Sequence, residues 1–274
     1  MLWAYDGMDA VSTDLKFQVA GLAFGYDEKI VQRDINFNVR VRSIFAIMGG
    51  SGCGKSTLMK TMTGLLRPAA GSIHFQREDY WSVSEQRREE IGRRFGVVFQ
   101  TGALWSSMTV AENVALPMRM FTHLDNASVK ALTRLKLALV GLDMASSIMP
   151  SELSGGMRRR VGIARAMALD PDVLFLDEPS AGLDPIAAKR LDDLILDLRD
   201  GFGVTVIMVS HELPSLLGIC DDGVFLDAEA KTAIAWGSPR SLLENNEQPE
   251  VRAFMHRERP ETELGHGGIG DGVT

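Results

Sequence analysis

Ile44-Phe45-Ala46-Ile47-Met48-Gly49-Gly50-Ser51-Gly52-Cys53-Gly54-Lys55-Ser56-Thr57 joins an apolar run directly to a glycine-rich loop ending in Lys-Ser-Thr. A continuous apolar run is what a central strand buried on both faces requires. The loop fits the phosphate-binding pattern Gly-x-x-x-x-Gly-Lys-Ser/Thr, and a helix is expected after it over about residues 56–66, ending near Arg67-Pro68. Gly49, Gly50, Gly52 and Gly54 let backbone N–H groups turn inward around phosphates, with Ser51, Cys53 and Thr57 completing the cradle. The helix N-terminus adds a favourable dipole. Lys55 is expected to neutralise β- and γ-phosphates, and the Ser56 hydroxyl to ligate Mg²⁺. The plainer alternative is a glycine-rich turn that binds nothing. Cys53 is either an inert filler or an alkylation-sensitive thiol.

Downstream, Leu174-Phe175-Leu176-Asp177-Glu178-Pro179 reads as another buried strand, closed by two carboxylates. Asp177 is expected to hold Mg²⁺ through water, and Glu178 to polarise an attacking water, a role that contributes ~10²–10⁴-fold in rate. The alternative is a surface turn carrying two solvated carboxylates. Between these segments lies Leu153-Ser154-Gly155-Gly156-Met157. A Ser-Gly-Gly loop opening a helix over residues 158–169 makes a second anion site from the Ser154 hydroxyl and the first amides. Helix capping by Ser154 is the competing reading. A compact fold cannot easily bring this site to its own phosphate loop, so the chemistry calls for two copies of the chain. Arg158, Arg159 and Arg160 read as a solvated helix face or as intersubunit contacts.

The chain has 274 residues, enough for one large domain or one domain with a subdomain. Apolar residues make up 45% and charged residues 24%, ordinary for a globular protein. A net charge of −7 without a long basic run argues against nucleic-acid binding. Cys53 inside the phosphate loop fits a reducing compartment, since a disulfide there would block the loop. No apolar stretch approaches the ~18 residues of a membrane span, and no basic-then-apolar leader is present. A cytoplasmic location is expected, with membrane association through a partner.

Residues 1–14 read as a leader, 15–254 as a single domain, and 256–274 as a polar, glycine-rich, flexible tail. Alternating runs over 16–41 predict antiparallel strands. Strands over 95–99, 173–176 and 204–209, with a helix over about 185–199, predict a mainly parallel sheet. Strands over 223–227 and 232–236 and a helix from Pro239 follow. From 101 to 150 the pattern turns helical, so a helical subdomain over about 101–165 is expected inside the α/β core. No internal repeat is visible, which leaves one nucleotide unit per chain.

In this order, the motifs over residues 15–254 resemble the ATPases of the ATP-binding-cassette (ABC) family. The resemblance implies a P-loop NTPase cassette with a RecA-like, mainly parallel core, an antiparallel β subdomain and the inserted helical subdomain. It implies conversion of ATP and water to ADP and phosphate. It assigns Gln100 to Mg²⁺ and the lytic water at the joint with the helical subdomain, and His211 to the γ-phosphate. Tyr26 would stack on adenine, with Phe24 its rival, although strand alternation should bury Phe24. Ser154, Gly155 and Gly156 would close over the γ-phosphate held by the opposite subunit, with Asp184 lining that interface.

Thr101-Gly102-Ala103-Leu104-Trp105, Met149-Pro150-Ser151-Glu152, Met157, Asp184-Pro185-Ile186 and Val251-Arg252-Ala253-Phe254 further resemble one branch of the family. These are the ATPases of MCE-type phospholipid transporters, such as the maintenance-of-lipid-asymmetry (Mla) system. That branch implies a homodimer beneath a multipass permease on the cytoplasmic face of the inner membrane, with an MCE-domain protein and a small STAS-domain subunit. Ala103, Leu104, Trp105 and Met108 are candidates for the groove receiving the permease; structural core is their competing role. An amino-acid importer or a lipoprotein-release ATPase shares every core motif. Soluble ABC proteins fit less well: those of translation usually carry tandem cassettes, and those of DNA repair a long coiled coil, for which sustained heptads are missing here.

Overall fold

Every residue of the apolar run before the phosphate loop is buried, and alternate residues enter different cores. Ile44, Ala46 and Met48 pack on one side, Phe45 and Ile47 on the other. The computed structural model describes residues 14–27, 29–100 and 103–257. The chain runs through β1 (Leu15–Tyr26), β2 (Lys29–Arg40), β3 (Ile44–Gly49), α1 (Lys55–Met62), β4 (Ala70–Phe75), β5 (Glu78–Asp79), α2 (Glu85–Gly92) and β6 (Phe95–Val98). It continues through α3 (Val110–Phe121), α4 (Asn126–Leu139), 3-10 turns at Asp143–Ala145 and Pro150–Glu152, and α5 (Gly155–Ala166). Then come β7 (Val173–Asp177), α6 (Pro185–Phe202), β8 (Thr205–Val209), α7 (Leu213–Ile219), β9 (Asp222–Asp227), β10 (Thr232–Trp236), α8 (Pro239–Asn245) and α9 (Pro249–His256).

Two sheets result. One has the order β2-β1-β4-β5 and is antiparallel; the other has the order β10-β9-β3-β8-β7-β6. Strands β9, β3, β8, β7 and β6 are mutually parallel, and only β10 runs against its neighbour. A parallel strand covered on both faces is expected to be apolar, which is how β3, β7 and β8 read apart from Asp177 at the end of β7 and Thr205 at the start of β8. Between the sheets Phe17, Phe75, Phe95 and Phe175 meet with ring centroids 5.0–5.9 Å apart. Fully burying such side chains stabilises the fold by about 1.5–3 kcal/mol each. The opposite face of the large sheet is covered by α5, α6, α7 and α9, while α3 and α4 pack on α5.

The structure differs from the sequence reading in several places. Helix α1 ends at Met62 rather than near residue 66, because Gly64 turns at φ +86° against the Tyr80 hydroxyl. Strands β4 and β5 and helices α2, α7 and α9 were not anticipated. Residue 256, expected to begin the tail, instead ends α9, which buries Val251 and Met255 and sets Phe254 edge-on to Phe225 at 5.1 Å. Residues 1–13 of the leader expected over 1–14, and residues 28, 101, 102 and 258–274, lie outside the described residues.

Candidate functional site

The phosphate loop leaves the C-terminal end of β3 and enters α1. Gly49 has φ +139°, and a Cβ there would lie 2.3 Å from the Leu226 carbonyl. Gly54 caps α1 at φ +99°, where a Cβ would meet Val31 at 2.8 Å. No side chain caps α1, so its first N–H groups remain free to bind an anion. Lys55 Nζ folds over the loop, donating to Gly49 O at 2.9 Å and Gly50 O at 2.8 Å. Gln32, fully buried on β2, holds the loop from behind by donating to Cys53 O at 2.6 Å and Asp227 O at 2.7 Å. Cys53 lies in the aromatic core, and burial pushes its thiol pKa up against the weaker pull of Lys55. This is the filler role.

Asp177 ends β7 next to β8 and faces the loop: Ser56 donates to its Oδ1 at 3.1 Å. Burial pushes the Asp177 carboxyl above the usual range, opposed by the Ser56 hydrogen bond and reinforced by the Glu178 charge. A bound cation would invert that balance. One hydroxyl and one carboxylate are a partial shell, suited to a hard divalent cation that completes it with phosphate and water oxygens. Among the described residues no group of three or more His, Cys, Asp or Glu side chains could hold a metal unaided.

Glu178, also buried, adopts φ +50°, a left-handed backbone that costs a non-glycine residue about 1–3 kcal/mol. Its Oε2 lies 2.8 Å from His211 Nδ1 yet makes no aligned hydrogen bond, leaving a buried acceptor oxygen in the site. His211 follows β8, is half-exposed, and has Glu212 Oε1 3.7 Å from its Nε2. Gln100 is exposed two residues beyond Val98, which pairs with Leu176, just as Glu178 stands two beyond Leu176. Strand register thus ends both on the same edge of the sheet.

Tyr26, at the end of β1, is 46% exposed, whereas Phe24 is fully buried. Lys60 donates to the Tyr26 hydroxyl at 3.3 Å and lies 5.9 Å from its ring centroid. A hydrogen bond with Thr57 above all, then Lys60, lowers the phenol pKa against burial. Tyr26, Asp27, Lys29 and Val31 line a shallow groove beside it.

Ser154 and Asp184 stand at two helix N-termini. Ser154 accepts from Met157 N at 3.2 Å, and Asp184 from Ile186 N at 3.0 Å and Ala187 N at 2.9 Å, so both cap their helices. Together with Gly155, Gly156, Gly182 and Arg160 they line one open groove of about 340 Å³. The three arginines after it are not a solvated face. Arg158 donates to Leu153 O at 2.7 Å, Arg160 to Val140 O at 2.9 Å, and Arg159 to the carbonyls of Glu178, Pro179 and Ala181. Carbonyls at nearby loop ends serve as the acceptors, and the planar guanidinium supplies several donors at once.

Trp105 is 58% exposed, which removes it from the core, while Leu104 packs against the helical layer. Buried Asn113 clamps this loop: its Oδ1 accepts from Trp105 N at 2.8 Å, and its Nδ2 donates to Trp105 O and Met108 O, each at 3.1 Å. The larger groove nearby, about 540 Å³, is lined instead by Arg93, Phe95, Gly96, Pro117, Phe121 and Leu169 among others. Ala103, Leu104, Trp105 and Met108 do not line it. Sequence reading missed Gln32, Lys60, Glu212 and the contacts of Arg159; except for Glu212, which adjoins His211, their partners are backbone or distant in sequence, so no spacing announces them.

The family model described as ABC transporter matches residues 32–181. The chain is 40% identical, over 84% of its length and 86% of the relative's, to the intermembrane phospholipid transport system ATP-binding protein MlaF of Haemophilus influenzae. It is 35% identical, over 89% of its length and 67% of the relative's, to the probable ribonucleotide transport ATP-binding protein mkl of Mycobacterium bovis. Among solved structures it is similar to the dimeric form of MJ0796, a bacterial ABC transporter cassette, with TM-score 0.73 and 25% identity over 80% of this chain and 97% of that one.

Proposed function

Because this chain belongs to the ABC transporter family, we propose that it is the ATP-hydrolysing subunit of a phospholipid transporter, acting as a homodimer beneath a separate multipass permease. One observation carries the hydrolytic reading: Lys55, Ser56, Asp177, Glu178 and His211 gather where β3, β7 and β8 end, with Ser56 and Asp177 in hydrogen-bond contact. The 40% identity to a phospholipid-system ATPase across 84% of the chain supports the cargo.

Lys55 and the amides of residues 49–57 bind the β- and γ-phosphates, and Tyr26 stacks on adenine. Ser56 and Asp177, joined by Gln100, hold Mg²⁺, which when bound offsets charge on the phosphates. Glu178 orients the lytic water with the oxygen left free beside His211, and His211 faces the γ-phosphate. Ser154, Gly155, Gly156 and Asp184 of the second copy complete the site. Binding of two ATP molecules therefore closes the dimer, and hydrolysis releases it. The chain sits on the cytoplasmic face of the inner membrane, held there by the permease. No described helix is long and apolar enough to cross a membrane. An MCE-domain protein beyond the permease and a STAS-domain subunit on the helical region complete the assembly.

The test is to tag the chain, extract native membranes in mild detergent and identify what co-purifies. A multipass permease with an MCE-domain protein and bound phospholipid supports the reading. A permease with a soluble solute-binding protein keeps the ATPase and removes the lipid, and ribosomes or DNA alone overturn the transporter. A ribonucleotide cargo is the second reading, favoured by the mycobacterial relative's name. In reconstituted vesicles it would show as ATPase stimulation by ribonucleotide and not by phospholipid.

A further inference from the structure

Arg159 points from α5 into the loop between β7 and α6. It donates to Glu178 O at 2.8 Å and also to the carbonyls of Pro179 and Ala181. Ala181 N reaches the same Glu178 carbonyl at 3.3 Å, and Glu178 N donates to Val209 O at 2.9 Å on the other side. Glu178 is thus gripped at both its amide and its carbonyl, and it needs to be. Its φ of +50° precedes a proline, and a non-glycine residue keeps such a backbone only where its surroundings over-determine it. Strand β8 supplies one of those restraints. Arg159 supplies the other, and the half-buried guanidinium, destabilised by burial, regains part of that loss from the Glu178 charge.

Resting on the hydrolytic reading above, we infer that Arg159 is a positioning residue for Glu178. Its carbonyl bonds hold residues 178–181 in the conformation that sets the carboxylate 2.8 Å from His211. They also tie that setting to the helix capped by Ser154. Arg159 is five residues beyond Ser154, roughly 7.5 Å along α5 at 1.5 Å per residue. One rigid helix therefore joins the anion site offered to the second copy with the base serving this chain's own nucleotide. A shift of α5 on dimer closure moves the support of the base in the same stroke.

The test is steady-state ATPase of the full chain with fluorescent-ATP binding, for wild type, Arg159→Ala, Arg159→Lys, Glu178→Gln and the double variant Arg159→Ala/Glu178→Gln. Because a base contributes ~10²–10⁴-fold, losing its support is expected to lower kcat ~10- to 100-fold, with KM for ATP within about threefold. Arg159→Lys, with fewer donors, should fall between wild type and Arg159→Ala. The double variant should turn over no more slowly than Glu178→Gln, since Arg159 acts only through that carboxylate. A kcat within twofold of wild type, or a loss that multiplies on top of Glu178→Gln, overturns the assignment. If Arg159→Ala melts below the assay temperature, Arg159→Lys decides on the same kcat-against-KM split. Wild-type protein that neither binds nor hydrolyses ATP sinks the hydrolytic reading itself, whatever Arg159 does.

Discussion

The phosphate-loop region and the Ser154 region both present helix N-terminal amides to an anion, but they are built in opposite ways. The first is set into the sheet: β3, β7 and β8 are buried throughout, Asp177 and Glu178 are buried, and Gln32 braces the loop from behind. The second is exposed, with Ser154 and Asp184 spending their side chains on capping their own helices. An anion reaching the first is surrounded by one chain, whereas an anion reaching the second meets only one wall. The difference teaches that the proposed catalytic centre and the proposed closing surface use the same backbone device, and that burial is what sets them apart.

Six substitutions probe that contrast. The largest effect is expected in the buried half: Lys55→Ala abolishes turnover. Glu178→Gln lowers it by ~10²–10⁴-fold while ATP still binds and traps a dimer, visible by size exclusion with ATP present. Wild-type turnover from Glu178→Gln would remove its role as base. Next, Ser154→Arg should lower ATPase at least ~10²-fold, the scale of losing a positioned anion donor, while nucleotide binding by the separate chain persists. Its stability cost should stay near the ~0.5–2 kcal/mol of a lost helix cap. Normal transport by this variant would end the case for closure across two copies.

The same small substitution then sharpens the comparison. Gly49→Ala sets a Cβ 2.3 Å from Leu226 O in a left-handed conformation, so denaturant unfolding should show a loss of at least ~1–3 kcal/mol. Gly155→Ala meets nothing nearer than Leu183 at 3.9 Å and should stay within about 0.5 kcal/mol. The smallest effect is electrostatic. The folded-state pKa of Asp177 lies above the unfolded value, so the folded state binds more protons between the two. Stability from this group therefore falls as pH rises through that window and stays low above it. Melting of the nucleotide-free protein should show Asp177→Asn gaining on wild type as pH rises from acid to neutral. An equal gap at every pH would contradict that burial penalty.

The buried half was the more legible in sequence. Residues 44–48 of β3 and 206–209 of β8 are apolar without interruption and stop at Gly49 or before His211, so both the strands and their proposed functional ends are written locally. Alternation argued for the burial of Phe24, but it would put Tyr26, two residues on, on the same face; Tyr26 is exposed because it ends β1 just after a register shift between Phe24 and Gly25. Helix α2 escaped because Glu85–Gly92 buries only Ile91 and carries no apolar stripe. Helix α7 escaped because seven residues are too few to show a period. The backbone contacts of the arginines after Ser154 were illegible for a different reason: their acceptors are carbonyls as far away as Ala181, and a carbonyl leaves no mark in a sequence. Gln32 and Asn113 belong to the same class.

The alternation along β3 gives the molecule two ledgers on one strand. Ile44, Ala46 and Met48 answer to the helical layer, while Phe45 and Ile47 answer to the aromatic layer beneath the nucleotide loop. Substitutions at even positions therefore disturb the packing of the helical layer first, and those at odd positions the aromatic layer beneath the phosphate loop.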